Sequence, residues 1–120
     1  MRSNIEPKSF QFSVRIVKLC KYLQEEKKEY TLSKQLLRAG TSIGANVAES
    51  QQGQSRADFI AKLSIALKEA VETNYWLRLL NATDYLSEAE FSSIMEDCRE
   101  IEKLLTAILK TSRNSNQKPN

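Results

Sequence analysis

The chain has 120 residues, 41% of them hydrophobic, with 18 Lys/Arg, 15 Asp/Glu and no histidine. That length and apolar content fit one domain around one core, and the net charge of +3 is too small by itself to mark a nucleic-acid binder. Without histidine there is no His-based acid–base catalysis, no Ser-His-Asp triad and no Glu-x-x-His di-metal motif, so an enzyme is not expected.

Residues 1–7 show no periodicity and are expected to form a flexible lead-in. A first helix is predicted over 8–28, where Phe12, Ile16, Leu19 and Leu23 fall at i, i+4, i+7 and i+11. Its outer side carries Lys8, Gln11, Arg15, Lys18 and Lys21, a basic face suited either to solvent or to phosphate. Thr31 is the expected N-cap of a second helix over 32–51. There Leu36, Gly40, Ile43 and Val47 make the stripe, with Gly44 and Ala48 beside it. Two glycines inside a helix each cost about 1 kcal/mol relative to alanine, so Gly40 and Gly44 point to a neighbouring backbone that passes close by. Gly53 is expected to end this helix in the left-handed conformation, and Ser55 with Asp58 has capping-box spacing.

A third helix is predicted over 56–81, with Phe59, Leu63, Ala66, Ala70, Leu77 and Leu80 on one face. Tyr75 and Trp76 are adjacent and point about 100° apart, which places one of them at a helix edge or subunit contact. Ser87 and Glu90 repeat the capping-box spacing before a fourth helix over 88–111, where Ile94, Cys98, Ile101, Leu105 and Ile108 recur almost as a heptad. Residues 113–120 read as a polar, disordered tail. The predicted fold class is all-α, an antiparallel up-down-up-down four-helix bundle over 8–112, because short loops make successive helices neighbours of opposite sense.

Charge is unevenly spread. Residues 1–40 hold nine Lys/Arg and four Asp/Glu, net +5; residues 41–80 hold four of each, net 0; residues 81–120 hold five and seven, net −2. No run approaches the roughly 20 apolar residues that span a bilayer, and the N-terminus has no signal-peptide stretch, so a cytoplasmic protein with no membrane contact is expected. Cys20 and Cys98 occupy apolar helix phases and read as buried thiols. A carboxylate site from Glu49, Glu69 and Glu72 is conceivable, but ion pairs with Arg38, Arg56 or Lys68 explain these acids more simply. No metal or cofactor is expected, and no phosphate loop is present. Arg38, Asn46 and Glu49 suit interhelical hydrogen bonds or oligomer contacts.

At LLRAGTSIGANVAES, followed by SRADFIAKLSIAL, the sequence resembles a bacterial family encoded in intervening sequences of large-subunit ribosomal RNA genes. The residues that carry the likeness are Arg38, Ala39, Ser42, Ile43, Asn46, Val47, Ala48 and Glu49, then Arg56 and Phe59. Ser50 departs from the usual glycine. The resemblance implies a four-helix bundle assembled as a homopentamer. It also points to kinship with the accessory variability protein of diversity-generating retroelements, whose basic surface binds nucleic acid and reverse transcriptase.

Carried over, the expected function is a nonenzymatic scaffold that binds RNA or DNA, with Arg15, Lys18, Lys21, Lys34, Arg56 and Lys62 as phosphate contacts. Arg38, Gly40, Gly44, Asn46, Glu49 and Trp76 are the expected structural or oligomer contacts. The competing expectation is a protein–protein adaptor for a polymerase or ribosomal component. No exposed aromatic platform is expected, so readout should be largely independent of base sequence.

Overall fold

A computed structural model describes residues 4–117 as four helices: α1 (Ile5–Glu25), α2 (Leu32–Ser50), α3 (Arg56–Ala82) and α4 (Glu88–Gln117). The described residues contain no strand, and the fold is an all-α four-helix bundle. One core runs its length, with Phe12, Ile16, Leu36, Ile43, Leu63, Leu77, Met95 and Leu105 essentially inaccessible to water. Each helix packs against its neighbours in the chain, and α1 also meets α4.

Two helices depart from the predicted limits for local reasons. α1 begins at Ile5, so Pro7 sits in its first turn, where the backbone N–H has no intrahelical acceptor and proline costs nothing. α4 continues past Thr111 to Gln117. Ser112 there is buried, and Arg113 reaches Ser64 Oγ of α3 at 3.0 Å, so α3 supports the extra turns. Residues 1–3 and 118–120, part of the expected lead-in and tail, lie outside the described residues.

The corners are fixed by different devices. Thr31 holds the N-cap position of α2, but its side chain makes no capping bond. The buried Glu29 carboxylate caps the helix instead, accepting from Thr31 N at 3.2 Å, Leu32 N at 2.9 Å and Ser33 N at 2.7 Å. An anion there also meets the positive end of the helix dipole. Gly53 is not left-handed, contrary to the expectation from sequence; among the described residues, positive φ falls at Lys28 (57°) and Asp84 (70°). α2 instead ends in tight turns, Gln51 N to Ala48 O and Gly53 N to Ser50 O, and a Cβ on Gly53 would lie 3.2 Å from Ser50 O.

Asp84 ends α3 in a Schellman motif, with Tyr85 N donating to Leu80 O at 2.9 Å and Asp84 N to Asn81 O at 3.2 Å. The capping box that opens α4 is complete: Ser87 N donates to Glu90 Oε1 at 2.8 Å and Glu90 N to Ser87 Oγ at 3.1 Å. At the start of α3, Ser55 Oγ accepts from Asp58 N at 3.2 Å.

α1 and α2 approach each other closely at the two glycines. A Cβ on Gly40 would lie 2.8 Å from both Cγ atoms of Ile16, and one on Gly44 2.9 Å from Ser13 Oγ and 3.2 Å from Ser9 O. Both thiols are buried and unpaired with each other. Burial, with Glu29 second, pushes the Cys20 thiol up to about 12; its Sγ donates to Ser33 O at 3.3 Å. Burial followed by Glu102 raises Cys98 further.

Candidate nucleic-acid interface

The six cations singled out from the sequence do not form one cluster. Arg15 turns to the α1–α4 seam, where its guanidinium donates to Asp97 Oδ2 at 2.7 Å and Ser93 Oγ at 3.0 Å. Lys62 turns to the α2–α3 seam and pairs with Glu49 at 2.8 Å. Arg56 opens α3 and is exposed, whereas Lys34 lies in the first turn of α2, so most of a helix length separates them.

Lys18, Lys21 and Lys34 remain together. Lys18 and Lys21 are exposed on α1 and flank a shallow groove with Phe10, Val14 and Val17. Lys34 follows Ser33, which touches Cys20 and Gln24, and so sits beside the Lys21 turn. None of the three has an ion pair among the described residues.

The expected structural residues divide likewise. Arg38 spans the α2–α3 seam, pairing with Glu69 at 3.2 Å and with Glu72, and Trp76 Nε1 donates to Glu72 at 2.9 Å. Glu69, Glu72 and Glu49 are thus each engaged by a cation, and the described residues hold no acidic or thiol cluster able to bind a metal. Asn46 bonds within its own helix, to Ser42 O at 2.9 Å and Ser42 Oγ at 3.1 Å, rather than across a seam. Most of the ion pairs between helices are more than a third exposed on both sides, where each contributes about 1 kcal/mol or less; their larger effect is to decide which charges stay available.

Two surfaces escaped the sequence reading. The first is apolar: Phe10, 65% exposed, lines a groove of about 600 Å³ whose floor includes Gly44, Ala45 and Ala48 of α2, and Val17, 42% exposed, lines the shallow groove on its other side. These α1 residues lie one helical step off the core stripe, and periodicity alone assigns them to its flank. The second corrects the expectation of no aromatic platform. Tyr75 is 49% exposed on α3, edge-on to Trp76 with centroids 5.1 Å apart and with the Arg78 guanidinium 5.7 Å over its ring. No helix among the described residues is long and apolar enough to cross a membrane.

Comparison with known proteins adds to this geometry. A family model described as 23S rRNA-intervening sequence protein matches residues 2–107. A crystal structure from Bacteroides thetaiotaomicron, described as a protein of unknown function from the S23 ribosomal protein family, is 57% identical. It covers 88% of this chain and 98% of its own, with a TM-score of 0.87. No curated protein matches.

Proposed function

The chain belongs to the 23S rRNA-intervening sequence protein family, and from that premise we propose that it is a nonenzymatic, homo-oligomeric scaffold, pentameric and cytoplasmic, that binds RNA or DNA through phosphate contacts. The observation that carries this reading is how the acids are used. Asp97, Glu100, Glu49, Glu69 and Glu72 are tied to Arg15, Lys8, Lys62 and Arg38 across the seams, while Lys18, Lys21 and Lys34 stay in water without a partner among the described residues. Unpaired surface cations attract phosphate without reading bases, and repeating them around a ring multiplies a modest charge into a continuous field.

The bundle itself is read as antiparallel, up-down-up-down. Seam partners support this: Cys20 meets Ser33 while Gly44 meets Ser9, and Lys8 meets Glu100 while Arg15 meets Ser93. As one helix number rises, its partner's falls.

Oligomerisation draws on the exposed groove between Phe10 of α1 and Gly44, Ala45 and Ala48 of α2, since a monomer seldom leaves a contiguous apolar patch in water. Light scattering on the purified chain, followed by titration of labelled RNA and DNA over a salt series, tests the proposal. A pentamer whose affinity falls steeply with salt, and weakens about tenfold or more in Lys18→Glu/Lys21→Glu, is the expected result. A chain that binds neither nucleic acid at low salt would overturn it in favour of an adaptor for a polymerase or ribosomal protein.

A further inference from the structure

The cations on the opposite side of the molecule are arranged differently from those on α1. The acids of α4 lie in its first half and end at Glu102; from Lys103 to the last described residue the helix carries Lys103, Lys110 and Arg113 and no acid. Spacings of seven and three residues place these cations on one helix face, spanning about 15 Å at 1.5 Å per residue. All three are exposed.

α3 runs alongside them. The Arg113 guanidinium bonds Ser64 Oγ at 3.0 Å, which fixes the register between the two helices. Continuing from Ser64 at helical spacing, α3 presents Lys68, Val71, Tyr75 and Arg78, all exposed, with Val71 53% accessible. Two acids of α3 and α4 are already engaged: Glu102 accepts from Asn74 at 2.8 Å, and Glu72 from Trp76 at 2.9 Å. Neither Lys68 nor any of the three α4 cations has an ion pair among the described residues.

A row of cations beside an exposed ring is the chemistry that holds a single strand, with phosphates along the cations and a base stacked on the aromatic. Tyr75 is braced for that role, because Trp76 stands edge-on to its ring and Arg78 lies over it, so its orientation is held before any ligand arrives. We infer that the α3–α4 seam is a nucleic-acid surface of its own that takes an unpaired strand. Lys103, Lys110 and Arg113 carry the phosphates, Lys68 flanks them from α3, and Tyr75 stacks a base. This rests on the nucleic-acid reading above and deepens it, turning binding of any RNA or DNA into preference for unpaired segments.

The test uses the full chain, a labelled single-stranded RNA and a duplex of equal length, each titrated at several salt concentrations. Lys103→Gln/Lys110→Gln, at exposed sites, is expected to weaken single-strand binding about tenfold at low salt and to flatten the log–log salt slope by roughly 1.4. Tyr75→Ala is expected to cost about fivefold or more on the single strand and nothing on the duplex. If the double lysine variant binds like the wild type while Lys18→Glu/Lys21→Glu weakens, the strand lies on α1; this inference is overturned and the function stands. If Tyr75→Ala affects both ligands equally, or neither, the preference for an unpaired base is overturned. A wild-type chain that binds neither ligand removes the function and this inference together.

Discussion

At Gly40 a single methyl group decides how closely two helices can lie. A Cβ there would come within 2.8 Å of both Cγ atoms of Ile16, and Ile16 is fully buried and β-branched, so in a helix it has one strongly preferred rotamer and nowhere to swing. Replacing Gly40 with alanine gains about 1 kcal/mol of helix propensity, but overpacking a tight core costs about 1–3 kcal/mol. Gly40→Ala is therefore expected to lower stability by about 1 kcal/mol, read as a lower urea midpoint at constant slope, and in an Ile16→Ala background, which removes both Cγ atoms, the added cost of Gly40→Ala should disappear. The glycine spacing was legible in the sequence because its cost in a helix demands a reason. The identity of Ile16 as the reason was not, because which faces meet is settled by the packing of all four helices. The same holds for the site: the basic face of α1 was visible as a pattern, but that Arg15 is neutralised by Asp97, a residue far away in the chain, is a fact of the fold.

Among the elements, the ends of the helices show how one rule finds several solutions. Ser87 and Glu90 form the box their spacing announces, whereas α2 is capped by Glu29, two residues ahead of the cap position, and so outside the spacing rule. α3 ends on Asp84 with φ of 70°, where the motif usually places glycine because a Cβ is disfavoured in that region. Asp84 is exposed, so Asp84→Gly is expected to stabilise the fold by about 0.5–1 kcal/mol, seen as a higher melting temperature with unchanged helical signal. The left-handed turn was assigned from sequence to Gly53, the one glycine near a helix end. Backbone geometry instead places it at Lys28 and Asp84, because tight turns already close the end of α2.

For the whole molecule, the exposed groove over α1 and α2 is the feature an isolated bundle does not need. Phe10 is 65% exposed, so Phe10→Asp removes almost no core packing. It is expected to leave thermal stability of the protomer within about 0.5 kcal/mol while light scattering shows the assembly falling to a monomer. The fold class was readable from periodicity, since each core stripe repeats locally. The exposed groove was not, because it is built from residues on the edges of two helices. The Glu29 corner has a further consequence, in time rather than in space. Freeing the first turn of α2 strands a buried carboxylate without its three N–H partners, whereas residues 51–55 are exposed throughout and held by short turns. The amide hydrogens of Leu32 and Ser33 are therefore expected to exchange with solvent more slowly than those of residues 51–55, a contrast that native-state hydrogen exchange reads directly.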